Sequence, residues 1–404
     1  MVRNVLVALD ESQASRAALD YALRGVLPRP AGAANLHLVT VLPTVQTPIA
    51  VPPMASAAAM NVLHCQWGAQ QQANHARAHE LLRKMSEVAV NDYRTPAESV
   101  HRHALPALGG ASGVGQSLVE AAAKLRADVL VLGTRGMGAL QASLMTLMGL
   151  GSVSDYCLHN ARCPVMVVRQ SKDTVLGAEA SPPAVHAPPP KRVMVCTDDS
   201  PHAKKALQWY LDCLVMPNDH LHLVSVALLP PALPLDEPAV VAAVEEMAAD
   251  EEARGVVSDT ASTVACAQQQ ALAHGVLRTR VATAVLAPEP GVSDVGQALC
   301  SYARDKNVGL AVVGSRGLGM WQRSVMGALG LGSVSDFLSR HLPCALLVVK
   351  DGGARRESHE ESGMLLQRVP EEDRELMGGA DAKDDGKQDG ELGGAAVVDH
   401  GKQD

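Results

Sequence analysis

Two aspartates and two glycine-rich loops are the residues of this chain whose types and spacing could do chemistry. Asp10 follows the apolar run Val5-Leu-Val-Ala-Leu9, and Asp198 follows Val193-Met-Val-Cys-Thr197. A serine comes two residues later in each case, Ser12 or Ser200, and then a helical pattern. A carboxylate at the C-terminal end of a first strand lies where open α/β sheets bind their ligands. The same group also suits a turn or a helix N-cap, and both readings stand at this point. The loops begin Gly133-Thr-Arg135-Gly136 and Gly314-Ser-Arg316-Gly317. After fourteen intervening residues they arrive at Gly151-Ser152-Val153 and Gly332-Ser333-Val334. Glycines permit sharp turns and close backbone approach. Gly-Ser ahead of a helical pattern places a hydroxyl and unpaired N–H groups where a phosphate can sit. Recognition of a phosphorylated ligand is the chemistry this implies, and a tight turn without a ligand is the competing reading.

Several motifs drop out. No Gly-Lys-Ser/Thr follows either loop, so neither is a P-loop. There is no nucleophilic serine elbow. The acids that recur beside the loops, Asp155 and Asp336, fall in a first helical turn, where a carboxylate complements the helix dipole without any catalytic role. The pattern indicates binding rather than turnover, and no enzyme activity is expected. Gly109-Gly-Ala-Ser-Gly-Val-Gly115 has Ala287-Pro-Glu-Pro-Gly291 as its counterpart and reads as a plain strand-to-helix turn. His101-x-His103 has Arg280-x-Ala282 as its counterpart, so it reads as satisfied or solvent-facing imidazoles rather than a metal site.

The elements that must position these residues come in two series. Residues 5–9, 36–42, 129–132 and 164–168 are short, largely apolar runs that read as strands, and residues 100–105 read as a further strand. Helical patterns lie between them, at about 62–90, 113–125 and 152–159 among others. Ser12 or Ser15 can cap the first helix. The series restarts at Val193: Leu221-His-Leu-Val224 matches Leu36-His-Leu-Val39, and Val295-Gly-Gln297 matches Val114-Gly-Gln116. This is a tandem duplication. All-apolar strands alternating with helices predict, in each copy, a five-stranded parallel sheet with helices on both faces. The expected domains are 1–170 and 191–350, joined by a Pro-rich linker at 171–190 and followed by an acidic, disordered tail at 351–404. A Pro-rich, acidic insert, Leu229 to Glu252, replaces the first copy's Pro/Ala-rich loop from Pro43 to Met60.

Hydrophobic residues make up 47% of the 404 and aromatics 2%, so the cores must be built from Val, Leu, Ala and Met, with little for stacking bases. The tail carries 15 acidic and 7 basic side chains, which accounts for the whole net charge of −8. The balanced remainder offers no field for a phosphodiester backbone, so no nucleic-acid partner is expected. Eight cysteines without a Cys-x-x-Cys pair read as reduced core thiols. With no leader ahead of the first strand and no apolar run near the ~20 residues of a membrane span, a cytoplasmic protein without membrane contact is expected.

The aspartate after the first strand, the Gly-x-x-Gly … Gly-Ser-Val signature and the Cys-Pro-Val or Pro-Cys-Ala entry to the last strand resemble the universal stress protein family. The resemblance covers residues 1–170 and 191–350 and implies two tandem flavodoxin-like, adenine nucleotide alpha hydrolase-like α/β domains. It implies ATP, with or without Mg²⁺, as the ligand, used as a switch in stress response rather than as a substrate. Carried over by motif, the adenosine would lie against Ala8, Leu9, Asp10 and Val41, and in the second copy against Cys196, Thr197, Asp198 and Val226. The phosphates would lie on Gly133, Gly136, Gly151 and Ser152, and on Gly314, Gly317, Gly332 and Ser333. Arg135, Val153, Arg316 and Val334 stand beside them. The family usually has about nine residues where both copies here have fourteen, so the insert could also turn the loop away or fill the pocket. A scaffold acting through a dimer surface and the acidic tail is then the alternative function. The family dimerises through its last strands, which implies an intramolecular pseudo-dimer here, with a further homodimer left open.

Overall fold

Apolar runs of four to eight residues bounded by turns become buried parallel strands, because both faces of each run need cover. The computed structural model describes residues 2–27, 34–42, 57–107, 113–134, 153–169, 191–227, 239–287, 295–315, 334–350 and 367–368. In the first repeat, strands β1 (Asn4–Ala8), β2 (Asn35–Leu42), β3 (Val100–Pro106), β4 (Val129–Gly133) and β5 (Val165–Val168) alternate with helices α1 (Gln13–Gly25), α2 (Ala57–Glu87), α3 (Gly113–Lys124) and α4 (Val153–Asn160). The second repeat has β6 (Arg192–Cys196), α5 (Pro201–Cys213), β7 (His220–Val226), α6 (Ala239–Ala273), β8 (Val281–Leu286), α7 (Val295–Asp305), β9 (Leu310–Gly314), α8 (Val334–His341) and β10 (Ala345–Val349). Each repeat is an α/β domain with strand order 3-2-1-4-5, and all pairings within a repeat are parallel. The order reverses between β1 and β4, and between β6 and β9, which opens a crevice at the C-terminal ends of those strands.

The two sheets are continuous. β5 pairs antiparallel with β10, Leu346 opposite Val167, Leu347 opposite Met166 and Val348 opposite Val165. One apolar cluster crosses this seam, from Leu6 and Val39 through Leu130 and Val167 to Leu346, Ala311 and Val224. The polar contacts at the seam are reciprocal. Arg169 donates to the Ser339 carbonyl of α8, and Lys350 donates to the Leu158 carbonyl of α4. Arg169 and Lys350 are 181 positions apart, as are Leu158 and Ser339, so the same contact is made from each side.

Local signals set the helix ends. Ser12 and Ser200 cap α1 and α5, accepting from Ser15 N (3.2 Å) and Ala203 N (3.1 Å), and Pro201 occupies the first turn of α5. α3 and α7 both end on a left-handed residue, Arg126 at φ 50° and Asn307 at φ 48°. The amides of Ala127 and Val308 then bond back to Ala122 and Ala303, closing each helix in a Schellman-like turn. α6 begins at Ala239, so the part of the Leu229–Glu252 insert that follows Pro238 is helix, as expected of the Ala, Glu and Met content and lack of proline in residues 239–252. α2 likewise starts at Ala57, inside the stretch read as loop to Met60. Gln367–Arg368 form a short strand, β11, antiparallel to the edge strand β3. These two residues lie within the tail for which composition predicts no order. The unpaired amides and carbonyls of a sheet edge supply the partners that the segment lacks by itself. Residues 369–404 and the linker at 171–190 lie outside the described residues.

The thiols divide. Cys157, Cys196, Cys300 and Cys344 are buried as read from sequence, Cys163 and Cys213 are half-buried, and Cys65 and Cys266 are exposed on the long helices α2 and α6. Among the described residues no helix is long and apolar enough to cross a membrane.

Candidate functional site

β1 and β6 deliver Asp10 and Asp198 to the two crevices. The backbone just before each aspartate is fixed to the neighbouring strand: Leu9 N donates to Val39 O (2.7 Å) and Thr197 N to Val224 O (2.8 Å). The next turn is the same in both repeats. Oδ1 of Asp10 accepts from Ser12 N at 3.0 Å and from the Ser12 hydroxyl, and Oδ1 of Asp198 accepts from Ser200 N at 3.0 Å and from the Ser200 hydroxyl. Each carboxylate therefore shapes the strand-to-helix turn through one oxygen. The turn reading of these aspartates is a structural fact, whatever else they bind.

The glycines that end β4 and β9 have a comparable packing role. A Cβ on Gly133 would stand 2.3 Å from Ala14 O, and one on Gly314 would stand 2.7 Å from His202 O. Helices α1 and α5 press their first turns against these strand ends, and no side chain fits between. Their amide-rich N-termini are thereby brought to the crevice.

In the second repeat the crevice holds a small pocket of about 20 Å³ that opens to solvent, lined by Cys196, Thr197, Asp198, Ala203, Leu299, Val313, Gly314, Val334 and Ser335. Five of the residues singled out from sequence meet here: Cys196, Thr197, Asp198, Gly314 and Val334. Val226 is buried in the core alongside and does not line the pocket. In the first repeat, Ala8 and Val41 pack against the core, Leu9 is buried, and Val153 opens α4 at the surface, 38% exposed. Arg135, Gly136, Gly151, Ser152, Arg316, Gly317, Gly332 and Ser333 lie outside the described residues.

Four lining residues were not read from sequence. Ala203 sits in the first turn of α5, Leu299 on α7, Val313 on β9 and Ser335 in the first turn of α8. The duplication carried a partial signal, because Val334-Ser335-Asp336 repeats Val153-Ser154-Asp155. Leu299 and Val313 look like any core residues until the fold brings them together.

The pocket is largely apolar, with one carboxylate, the hydroxyl residues Thr197 and Ser335, and the first turns of α5 and α8 on its lining. Cys196 holds the place that Ala8 has in the first repeat, and burial pushes its thiol far above the usual cysteine range, so it is a neutral, packed group. The site sets an acceptor at Asp198 and the N-terminus of α8 beside an apolar wall of Leu299 and Val313.

Three comparisons bear on this chain. A universal stress protein of Methanocaldococcus jannaschii is 33% identical over 97 residues, 23% of this chain and 51% of that protein. The chain thus spans about half the length of the curated relative it matches. Among solved structures, a universal stress protein from Archaeoglobus fulgidus is 17% identical with a TM-score of 0.47, over 86% of this chain and 96% of that one. A universal stress protein family member from Arabidopsis thaliana with AMP bound is 20% identical with a TM-score of 0.26, over 40% of this chain and 92% of that one. The model of the universal stress protein family matches twice, at residues 1–169 and 189–350, and the chain belongs to that family as a tandem, two-domain member.

Proposed function

We propose that this chain binds an adenine nucleotide, ATP first among them, in the crevice of its second repeat and in the matching crevice of its first. The convergence of Asp198, Gly314 and Val334 with an apolar slot at the strand-order reversal carries the reading. The nucleotide acts as a switch and not as a substrate. The lining holds one carboxylate and a neutral thiol, and no group among the described lining residues is paired as nucleophile and base. Mg²⁺ would accompany the phosphates. Family membership supports a role in stress response in the cytoplasm, and the β5–β10 seam lets one chain stand in for a dimer of single-domain members.

A second reading draws on particular contacts. The Ser12 and Ser200 turns use Asp10 and Asp198, and helix packing requires Gly133 and Gly314, so all four can be retained without any ligand. The chain would then be a scaffold acting through its surface and tail.

Native mass spectrometry of the undialysed protein, followed by calorimetric titration with ATP, separates the two. Asp198→Asn is the informative variant, because it keeps an oxygen for the Ser200 turn and removes the charge. Loss of a charged acceptor is worth roughly 1.5–3 kcal/mol, a ten- to hundredfold weakening. Absence of co-purified nucleotide together with no heat at sub-millimolar ATP would hand the function to the scaffold reading.

A further inference from the structure

The polar contacts across the seam come in reciprocal pairs, and one of them is asymmetric in a chemically specific way. Asp155 on α4 faces Arg340 on α8, Oδ1 to Nη2 at 3.8 Å, and Asp336 on α8 faces His159 on α4, Oδ1 to Nε2 at 3.2 Å. Asp155 and Asp336 are equivalent by the 181-residue offset, and so are His159 and Arg340. The first repeat therefore carries an imidazole where the second carries a guanidinium. An arginine can only donate, whereas a neutral imidazole offers a lone pair.

Donor atoms of Asp155, His159 and Asp336 all lie within 4.8 Å of one another. In a tetrahedral zinc site, bonds of ~2.0–2.2 Å place neighbouring ligand atoms about 3.3 Å apart. The observed 3.2 Å between His159 Nε2 and Asp336 Oδ1 already has that spacing. Asp155 and His159 are four residues apart on one helix, so they rise on the same face one turn from each other. His159 Nδ1 lies 2.8 Å from the Asp155 carbonyl, which takes its proton and turns Nε2 toward the carboxylates. The two carboxylates are half-buried, with side chains 23% and 19% exposed, while the His159 side chain is 54% exposed and leaves the fourth coordination position to water.

We propose that Asp155, His159 and Asp336 form a zinc-type divalent metal site that staples α4 of the first repeat to α8 of the second. One nitrogen and two carboxylate oxygens with an open fourth position suit Zn²⁺ or Co²⁺ better than Mg²⁺ or Ca²⁺, which favour all-oxygen shells. The bound ion replaces the His159–Asp336 pair and draws Asp155 off Arg340. Because α8 begins at the pocket-lining residues Val334 and Ser335, the staple fixes the helix start that frames the second-repeat crevice. This assignment stands whether or not that crevice holds a nucleotide.

The test uses the full-length chain, freed of metal by chelator and titrated with ZnCl₂ against a chromogenic zinc indicator. The exposed thiols Cys65 and Cys266, and the His75–His79 pair with ring centroids 6.4 Å apart, are other zinc donors and are first removed as C65S, C266S, H75Q and H79Q. In that background one Zn²⁺ per chain is expected, with a zinc-dependent rise in melting temperature. Loss of an outer-shell partner alone costs about 10- to 100-fold in metal affinity. His159→Gln and Asp336→Asn, which remove ligands, should each cost at least that much and abolish the thermal shift. Arg340→Gln should tighten binding, since it removes the cation competing for Asp155. That distinguishes a metal site from a plain ion pair, in which Arg340→Gln is only destabilising. Circular dichroism before titration confirms that each variant is folded. Titrations of the His159 and Asp336 variants that overlay the parent, or a parent binding no zinc at 100 µM, about −5.5 kcal/mol at that Kd, would overturn the proposal.

Discussion

A single substitution, glycine to alanine in a helix, should change sign with position in this chain. Gly68 in α2 and Gly255 in α6 have nothing within 4 Å of where a Cβ would stand, and both lie inside long helices. Alanine there removes the backbone entropy penalty of glycine and should stabilise by about 1 kcal/mol. Gly296 in the first turn of α7 is different. A Cβ would stand 2.3 Å from Cδ1 and 2.9 Å from Cγ of Phe337 on α8. The phenyl ring is also stacked on His341, centroids 4.1 Å apart and 19° from parallel, so it cannot simply swing aside. Overpacking of this kind costs about 1–3 kcal/mol. The propensity gain is small at a helix start, so Gly296→Ala should destabilise by about 1–2 kcal/mol. Phe337→Ala should suppress that cost, giving a coupling energy of similar size in a double-mutant cycle. Urea denaturation followed by circular dichroism, with midpoint and slope compared between variants, measures all of these. Gly296→Ala as stabilising as Gly68→Ala, or a cycle with no coupling, would refute the packing argument. Gly115 against Tyr156 is the same contact in the first repeat, with its closest approach at 2.7 Å.

Two further outcomes are expected. Arg126→Gly, at a left-handed position that costs an L-residue about 1–2 kcal/mol, should raise stability, and a matched denaturation series would show it. Lys191 is held below the usual lysine range by burial, an effect the Asp219 carboxylate at 3.7 Å only partly offsets. Its folded state thus disfavours the charged amine, so its contribution to stability is unfavourable below the folded pKa. That cost lifts as pH rises through the window toward ~10.4, the unfolded value. Lys191→Met should remove this component, visible as a flatter stability profile than wild type as pH approaches ~10.4 from below. Parallel profiles would contradict it.

The central strands were legible because strands covered on both faces are largely apolar, as in Val129–Leu132 and Leu310–Val313. Ser12 and Ser200 announced their helices by residue type alone. The start of α6 at Ala239 was hidden by the prolines and acids just upstream, which mark a boundary without locating it. β11 was invisible, because its two residues take their order from an edge that exists only after β3 is in place. At the site, Asp198 was legible from the duplication, but its bond to Ser200 shows that repetition alone does not separate a binding group from a turn group. Gly314 carries the same lesson, since its need arises from α5, a helix more than a hundred residues earlier in the chain.

The β5–β10 seam has a consequence for how the two halves can change over time. In a dimer of identical subunits every substitution appears on both sides of the interface, and assembly weakens on dilution. Joining the halves in one chain fixes the partner at an effective concentration that dilution cannot alter. It also releases each half from copying the other. Ala8 can become Cys196, Ser15 can become Ala203, and Arg340 can face its mirror position as His159, each without a second change opposite. Covalent linkage thereby turns one duplicated surface into two that are free to specialise.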